Sequence, residues 1–253
     1  MEPSIVDPVS PCPPALRQRW HEYTPEQHRT WETLYRKRMT TLVDTASSAV
    51  LRGITRIGLG PDRIPDLREV NRRLTPLTGW RAVPIGGFAP AGSFFRSLGA
   101  RHFPTTITIR PADRLDYVPE PDIFHDVFGH VPLHSDSQFA DYLAGLGALA
   151  SRATDPETVE ALARLFWFTI EFGLIEEGGR TLIYGSGLVS SEADAANALG
   201  PTATRRPFDL EAVLAHPFEI DRLQDELFVI DSFAALDGAL EHCRRLFPET
   251  RRD

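Results

Sequence analysis

The amino-acid sequence predicts a mostly α single domain with a few short β strands. Three observations carry that reading. Several long stretches combine a helical apolar period with recognisable start signals, one run is rich in β-branched residues, and no repeat or internal linker divides the 253 residues. The length suits one large domain, and 42% hydrophobic with 9% aromatic residues can fill its core.

The elements follow in order. Residues 1–19 contain five prolines and read as a flexible leader, because proline removes backbone donors and blocks helix. Residues 24–54, TPEQHRTWETLYRKRMTTLVDTASSAVLRGI, read as one helix with Thr24 as N-cap, Pro25 at N1 and Gln27 completing a capping box. IPDLREVNRRLTPLTGW gives a shorter helix ended by Pro76 and Gly79. Gly and Pro turns fill most of residues 81–118, with TTITIR, ending at Arg110, as the best strand candidate. After residue 134 come two more helices. SDSQFADYLAGLGALASRA starts on a Ser135 to Gln138 capping box, and DPETVEALARLFWFTIEFGLIEEGG starts with Asp155 before Pro156. The domain thus spans residues 20–247, and 248–253 form a charged tail.

Charge and composition exclude several functions. A formal net charge of -8 disfavours a nucleic-acid partner, since the basic clusters RQRW and RRLFPETRRD are short and offset by acids. The N-terminus has no signal-peptide apolar core, and no run approaches the roughly 18 apolar residues of a membrane span. Only Cys12 and Cys243 occur, so a disulfide framework is not expected and a reducing cytoplasm is.

EPDIFHDVFGHVPLHSD, residues 120–136, packs three histidines and four acids into seventeen positions. His125 and His130 stand at i and i+5, which a continuous α-helix separates by about 140°. They converge only if the helix stops between them. Pro121 suits a first turn, Gly129 a left-handed C′ position, and Pro132 a block to continuation. An isolated pair reads as ordinary polar positions at a helix end. Glu171 changes the weighing. It lies within LFWFTIEFGLI, where a buried ionised carboxylate needs a partner such as a dication, although Glu160, Arg164 and Glu171 could also share a solvated face. Two histidines and one carboxylate make the facial set that holds ferrous iron with open positions, whereas structural zinc wants a fourth ligand, usually Cys.

YVPEPDIFHDVFGHVPL, FWFTIEFGL and YGSGLVSS, in this order and spacing, resemble the pterin-dependent aromatic amino acid hydroxylases, and within them the bacterial phenylalanine-hydroxylating branch. The similarity runs from about Trp20 to about Phe247. It implies a single catalytic domain of that type, with no room for the regulatory domain or tetramerisation helix of animal members, hence a monomer. It further implies that His125, His130 and Glu171 ligate Fe(II), with His134 and Asp136 uninvolved. Gly87 and Phe88 of PIGGF would hold the tetrahydropterin through their backbone, Phe94 would stack on its ring, and Asp126 would face it. Arg110 matches the arginine that pairs with the substrate carboxylate, and Asp122 the acid that orients it. Ser190 matches the serine behind a ligand histidine, while Gly187 and Ser191 belong to the loop that meets the amino acid. Trp167 and Pro119 would wall the substrate ring. Val118 departs from the threonine of animal phenylalanine hydroxylases.

The activity so implied is a monooxygenation in which tetrahydropterin and Fe(II) together reduce O2, one oxygen atom passing to the pterin and one to the ring of a free aromatic amino acid. L-phenylalanine to L-tyrosine is the expected conversion, because Val229 stands where tyrosine-selective members carry an acid. Tryptophan 5-hydroxylation and phenylalanine 3-hydroxylation within the same family are the alternatives. A 2-oxoglutarate dioxygenase would use His134, Asp136 and His216 as HxD…H, yet its double-sheet β barrel conflicts with long capped helices on both sides of HSD. A non-catalytic metal-binding domain is the remaining rival.

Overall fold

The computed structural model describes residues 16–87, 89–116, 121–220 and 222–247, so the first fifteen residues of the expected leader, the tail 248–253, Phe88 and Pro119 lie outside it. The last leader residues are not loose. The Leu16 N–H donates to the Pro84 carbonyl, and the buried Gln18 side chain bonds Tyr23, the Pro65 carbonyl and the Leu67 N–H. A short 3-10 turn, Trp20–Glu22, leads to α1 (Pro25–Thr45), where Thr24 and Gln27 form the reciprocal capping box.

The helix expected over 24–54 is two helices. The Ala46 backbone bridges to Ile183, the Ser47 N–H donates to the Ile183 carbonyl, and Ser47 then caps α2 (Ser48–Ile57). A backbone held by a strand cannot also continue a helix. Asp66 caps α3 (Leu67–Thr78), which ends on Gly79 at φ 79° as expected. Pro76 does not end it but lies inside its last turn.

Strand β1 (Arg81–Ile85) pairs in parallel with β2 (His102–Thr106), with α4 (Ala91–Gly99) as the crossover. Only the first two residues of TTITIR are therefore strand. Beyond Thr106 the backbone finds other partners: the Ile107 carbonyl accepts from the Tyr23 hydroxyl, the Thr108 carbonyl from the Ile123 N–H, and the Arg110 N–H donates to Asp122.

The histidine segment winds as a π-helix, Phe124–His130, followed by a 3-10 turn, Val131–Ser135. Gly129 is not left-handed and does not stop the helix. Its small size matters instead, since a Cβ there would stand 2.8 Å from the Ser186 carbonyl oxygen. Aromatic contacts from α1 brace the wide winding: Trp31 meets Phe124 edge-on at 5.4 Å and Tyr35 meets Phe128 at 5.3 Å, each worth about 1 kcal/mol beyond burial.

The cap of α5 (Ser137–Ala150) is Asp136, which accepts from Gln138 and Phe139, while the Ser135 hydroxyl donates back to the Pro132 carbonyl. Asp155 caps α6 (Pro156–Phe166) through the Thr158 N–H, as expected. That helix was expected to reach the glycines at 178–179. It passes instead into a second π segment, Trp167–Glu171, and then a hairpin of β3 (Leu174–Glu177) and β4 (Arg180–Ile183) that turns on Gly178 and Gly179, both at positive φ. Next come α7 (Ser186–Ser190), α8 (Glu192–Leu199), β5 (Thr204–Pro207), α9 (Leu210–Ala215), β6 (Glu226–Ile230) and α10 (Phe233–Leu246). The larger sheet has the order β4-β3-β6-β5, with only β3 and β4 antiparallel. The domain is mostly helical with few short strands, and one core of buried side chains runs through it. No helix among the described residues is long and apolar enough to cross a membrane.

Candidate metal centre and its surroundings

The π winding solves the spacing problem of the two histidines. Hydrogen bonding from i to i+5 brings residues five apart onto one face, so His125 and His130 converge without a break in the helix. Their Nε2 atoms lie 3.2 Å apart. The second π segment ends on Glu171, whose Oε1 is 3.1 Å from His130 Nε2 and Oε2 3.7 Å from His125 Nε2. One ligand atom from each residue falls within 4.8 Å of the others, and this is the only such cluster of His, Cys, Asp or Glu among the described residues.

Helix α7 serves both sides of the cluster. The Ser190 hydroxyl donates to the Ser186 carbonyl, so its oxygen accepts from His125 Nδ1 at 2.9 Å and leaves the Nε2 lone pair facing the cluster. The Ser186 hydroxyl donates to Glu171 Oε2 at 2.7 Å. Protonation suits a cation. Burial brings His125 down to about 4 against the pull of Glu171, which keeps the imidazole neutral. Burial alone would raise Glu171, but His130, His125 and Ser186 outweigh it and bring the carboxyl down to about 2. Two histidine nitrogens and one carboxylate oxygen, with no fourth His, Cys, Asp or Glu in the cluster among the described residues, fit an open facial site for Fe(II) better than closed structural zinc.

Arg110 and Asp122 form a buried two-pronged pair, Nε to Oδ2 at 2.8 Å and Nη2 to Oδ1 at 2.9 Å. Asp122 also accepts from the His125 backbone N–H at 3.0 Å, which ties the arginine to the start of the π segment. Burial would raise the Asp122 carboxyl, and these bonds more than reverse that. The guanidinium donates once more, to the Leu115 carbonyl. Asp126 is turned to β2, accepting the Thr106 N–H at 2.6 Å, and burial pushes it up to about 7.

The other expected residues spread around this centre. Phe94 packs edge-on against Phe103, whose ring lies 4.6 Å from that of His130. Gly87 holds φ 89° with open space where a Cβ would be. Gly187 is tightly placed, since a Cβ would come 3.1 Å from the Glu171 carbonyl oxygen. Trp167 starts the segment that ends on Glu171, between Phe172 and Phe218. Val229 in β6 is in register with Leu174, just past Glu171. The Ser191 hydroxyl caps α8 by accepting the Asp194 N–H. Sequence reasoning missed Ser186 and Gln224. Gln224 is buried and accepts the Trp167 indole N–H at 3.1 Å. Ser186 had a signal, being one of the three serines of YGSGLVSS, whereas Gln224 had none.

The rival HxD…H set does not assemble. His134 is stacked on Trp80 at 4.5 Å, Asp136 caps α5, and His216 lies beside Phe168 and Glu226.

Comparison with known proteins agrees with this geometry. The model of the family described as biopterin-dependent aromatic amino acid hydroxylase matches residues 19–248. The phenylalanine-4-hydroxylase of Caulobacter vibrioides is 42% identical over 222 residues, 87% of this chain and 76% of that protein. The enzyme of the same name from Chromobacterium violaceum is 40% identical over 225 residues, 88% of this chain and 76% of its own. A crystal structure of the C. violaceum enzyme, with bound iron(III) and the oxidised cofactor 7,8-dihydrobiopterin, superposes with a TM-score of 0.87 at 38% identity, covering 92% of this chain and 85% of that one. With two histidines and a glutamate brought together by π windings, and a match that spans nearly the whole described domain, the chain belongs to the biopterin-dependent aromatic amino acid hydroxylases.

Proposed function

We propose that this chain is an Fe(II)- and tetrahydropterin-dependent monooxygenase that converts L-phenylalanine to L-tyrosine. The observation that carries the reading is the convergence of His125, His130 and Glu171, with no fourth His, Cys, Asp or Glu in the cluster among the described residues. Fe(II) and the reduced pterin, when bound, supply the activation of O2. The protein's own part is to hold, orient and keep dry.

His125, His130 and Glu171 hold the iron, with Ser190 and Ser186 fixing the angles of the imidazole and the carboxylate. Among the described residues Asp122 and Leu115 occupy three of the five N–H donors of Arg110, and the remaining two take the substrate carboxylate. Trp167, Pro119 and Val229 wall the substrate ring, with Gly187 and Ser191 on the neighbouring segment. Gly87, Phe88 and Phe94 hold the pterin, a flat heteroaromatic that needs a ring to stack on and backbone donors. Asp126 serves the pterin indirectly, by fixing the end of β2. The domain bounds are 20–247, and the protein works as a monomer in a reducing cytoplasm, which light scattering and fractionation test.

Substrate choice follows from Val229. A valine wall offers the phenolic hydroxyl of tyrosine no partner, and burial without one costs roughly 1 to 3 kcal/mol. The test is a competition assay with Fe(II), tetrahydropterin and O2, offering phenylalanine and tryptophan together and identifying products by mass and retention time. Para-tyrosine as the main product is the expected result. Preferential 5-hydroxytryptophan or meta-tyrosine would overturn the substrate reading.

A further inference from the structure

Two arginines are buried among the described residues, Arg110 and Arg38. Arg110 faces a carboxylate. Arg38, in α1 and only 3% exposed, instead directs its guanidinium at neutral oxygens: Nε to the Val189 carbonyl at 2.9 Å, Nη2 to the Leu188 carbonyl at 3.0 Å, and Nη1 to the Thr41 hydroxyl at 2.9 Å. Burial lowers it to about 10, with Glu192 opposing from a distance, so it stays charged at neutral pH. A buried cation without an ion-pair partner is costly, and an apolar side chain of similar volume would fill the space more cheaply. Packing alone does not account for it.

What the fork holds is the end of α7. All five residues of this helix are buried, and a helix this short leaves its last carbonyls without internal partners. Arg38 satisfies two of them, immediately before Ser190, the serine that receives His125 Nδ1. Ser186 at the other end of α7 holds Glu171. Helix α1 also braces the histidine segment through Trp31 and Tyr35, so one helix supports the cluster from two directions.

We infer that Arg38 is a positioning residue for the iron site: by clamping the Leu188 and Val189 carbonyls it sets where α7 places Ser190 and Ser186 behind His125 and Glu171. This rests on the ligand reading proposed above. Arg38→Met keeps most of the stem and removes the fork, and Arg38→Lys keeps the charge but offers no planar fork. Three readouts are taken on the full chain: Fe(II) affinity by chelator competition, the d–d absorption of the Co(II)-substituted protein, and Tm. Arg38→Met should weaken Fe(II) by about 10- to 100-fold and shift the Co(II) bands, with Arg38→Lys falling between it and the native protein. Combining Arg38→Met with Ser190→Ala should weaken Fe(II) by clearly less than the two single effects added together, because part of the Arg38 effect passes through the Ser190 hydroxyl. A lowered Tm with native Fe(II) affinity and unshifted Co(II) bands would overturn the inference, as would full additivity with Ser190→Ala. If Arg38→Met does not fold, Arg38→Lys decides by the same readouts, native affinity and bands again overturning it. His125→Ala is the separate control. If it binds Fe(II) as tightly as the native protein, the ligand reading itself fails and takes the inference with it.

Discussion

His130 and His134 lie four residues apart, both buried, yet their surroundings differ in kind. His130 ends a π segment and points Nε2 at His125 and Glu171, next to a helix whose serines hold those two residues from behind. His134 lies in a 3-10 turn among Trp80, Phe103 and Phe139, and neither of its ring nitrogens has a hydrogen-bond partner among the described residues. A buried histidine binds a cation only where the winding aims its lone pair at other donors. Elsewhere it is an aromatic filler that carries the penalty of unpaired polar atoms.

The largest expected effect breaks the comparison if it fails. Glu171→Ala or His125→Ala should reduce bound iron from about one per chain to near zero and abolish turnover, whereas His134→Phe should retain iron. Metal analysis of the purified variants decides, and stoichiometric iron in Glu171→Ala would contradict the site. Glu171→Gln separates charge from shape, since the amide cannot neutralise the cation.

The outer hydrogen bonds come next. Ser190→Ala should weaken Fe(II) binding by about 10- to 100-fold, because His125 loses the acceptor that fixes its tautomer and ring angle. Ser186→Ala should act in the same range on the Glu171 side. Titration with a competing chelator measures both.

A smaller effect separates the two small-molecule pockets. Arg110→Lys should raise the KM for phenylalanine by about tenfold while leaving that for the pterin nearly unchanged, since lysine cannot keep both prongs to Asp122 and also reach a carboxylate. Phe94→Ala should do the reverse. Equal weakening of the pterin in both variants would merge the pockets.

The last prediction concerns His134 and acid. Burial holds its pKa well below 6.5, and the nearby His130 adds to this. In the unfolded chain the imidazole takes up a proton as pH falls below about 6.5, while in the folded chain it does not. The folded state therefore loses stability through this group as pH falls below that point, and the full contribution is present above it. Urea unfolding of the metal-free protein at pH 7.5 and 5.5 should show a smaller acid loss for His134→Phe than for the native sequence. An equal loss in both would show that His134 does not titrate differently on folding.

The sequence by itself determined the chemistry of the donor set and several element ends. Thr24, Asp155 and Gly79 act as caps because those signals are local: a side-chain oxygen within reach of the first N–H groups, or a residue that tolerates positive φ. The histidine pair at i and i+5 and a glutamate in an apolar run were also legible, and with them the family. Only the tertiary structure decided how the pieces converge. A π winding is unfavourable for an isolated chain and persists because Trp31, Tyr35 and α7 pack against it, so nothing local could distinguish it from a helix stop at Gly129. The same holds for the break at Ser47, the short β2 and the partner of Asp126, each set by a backbone group that another segment supplies. Local signals report a residue's own reach, whereas the partner of a buried polar group is chosen by whatever the fold brings within hydrogen-bonding distance.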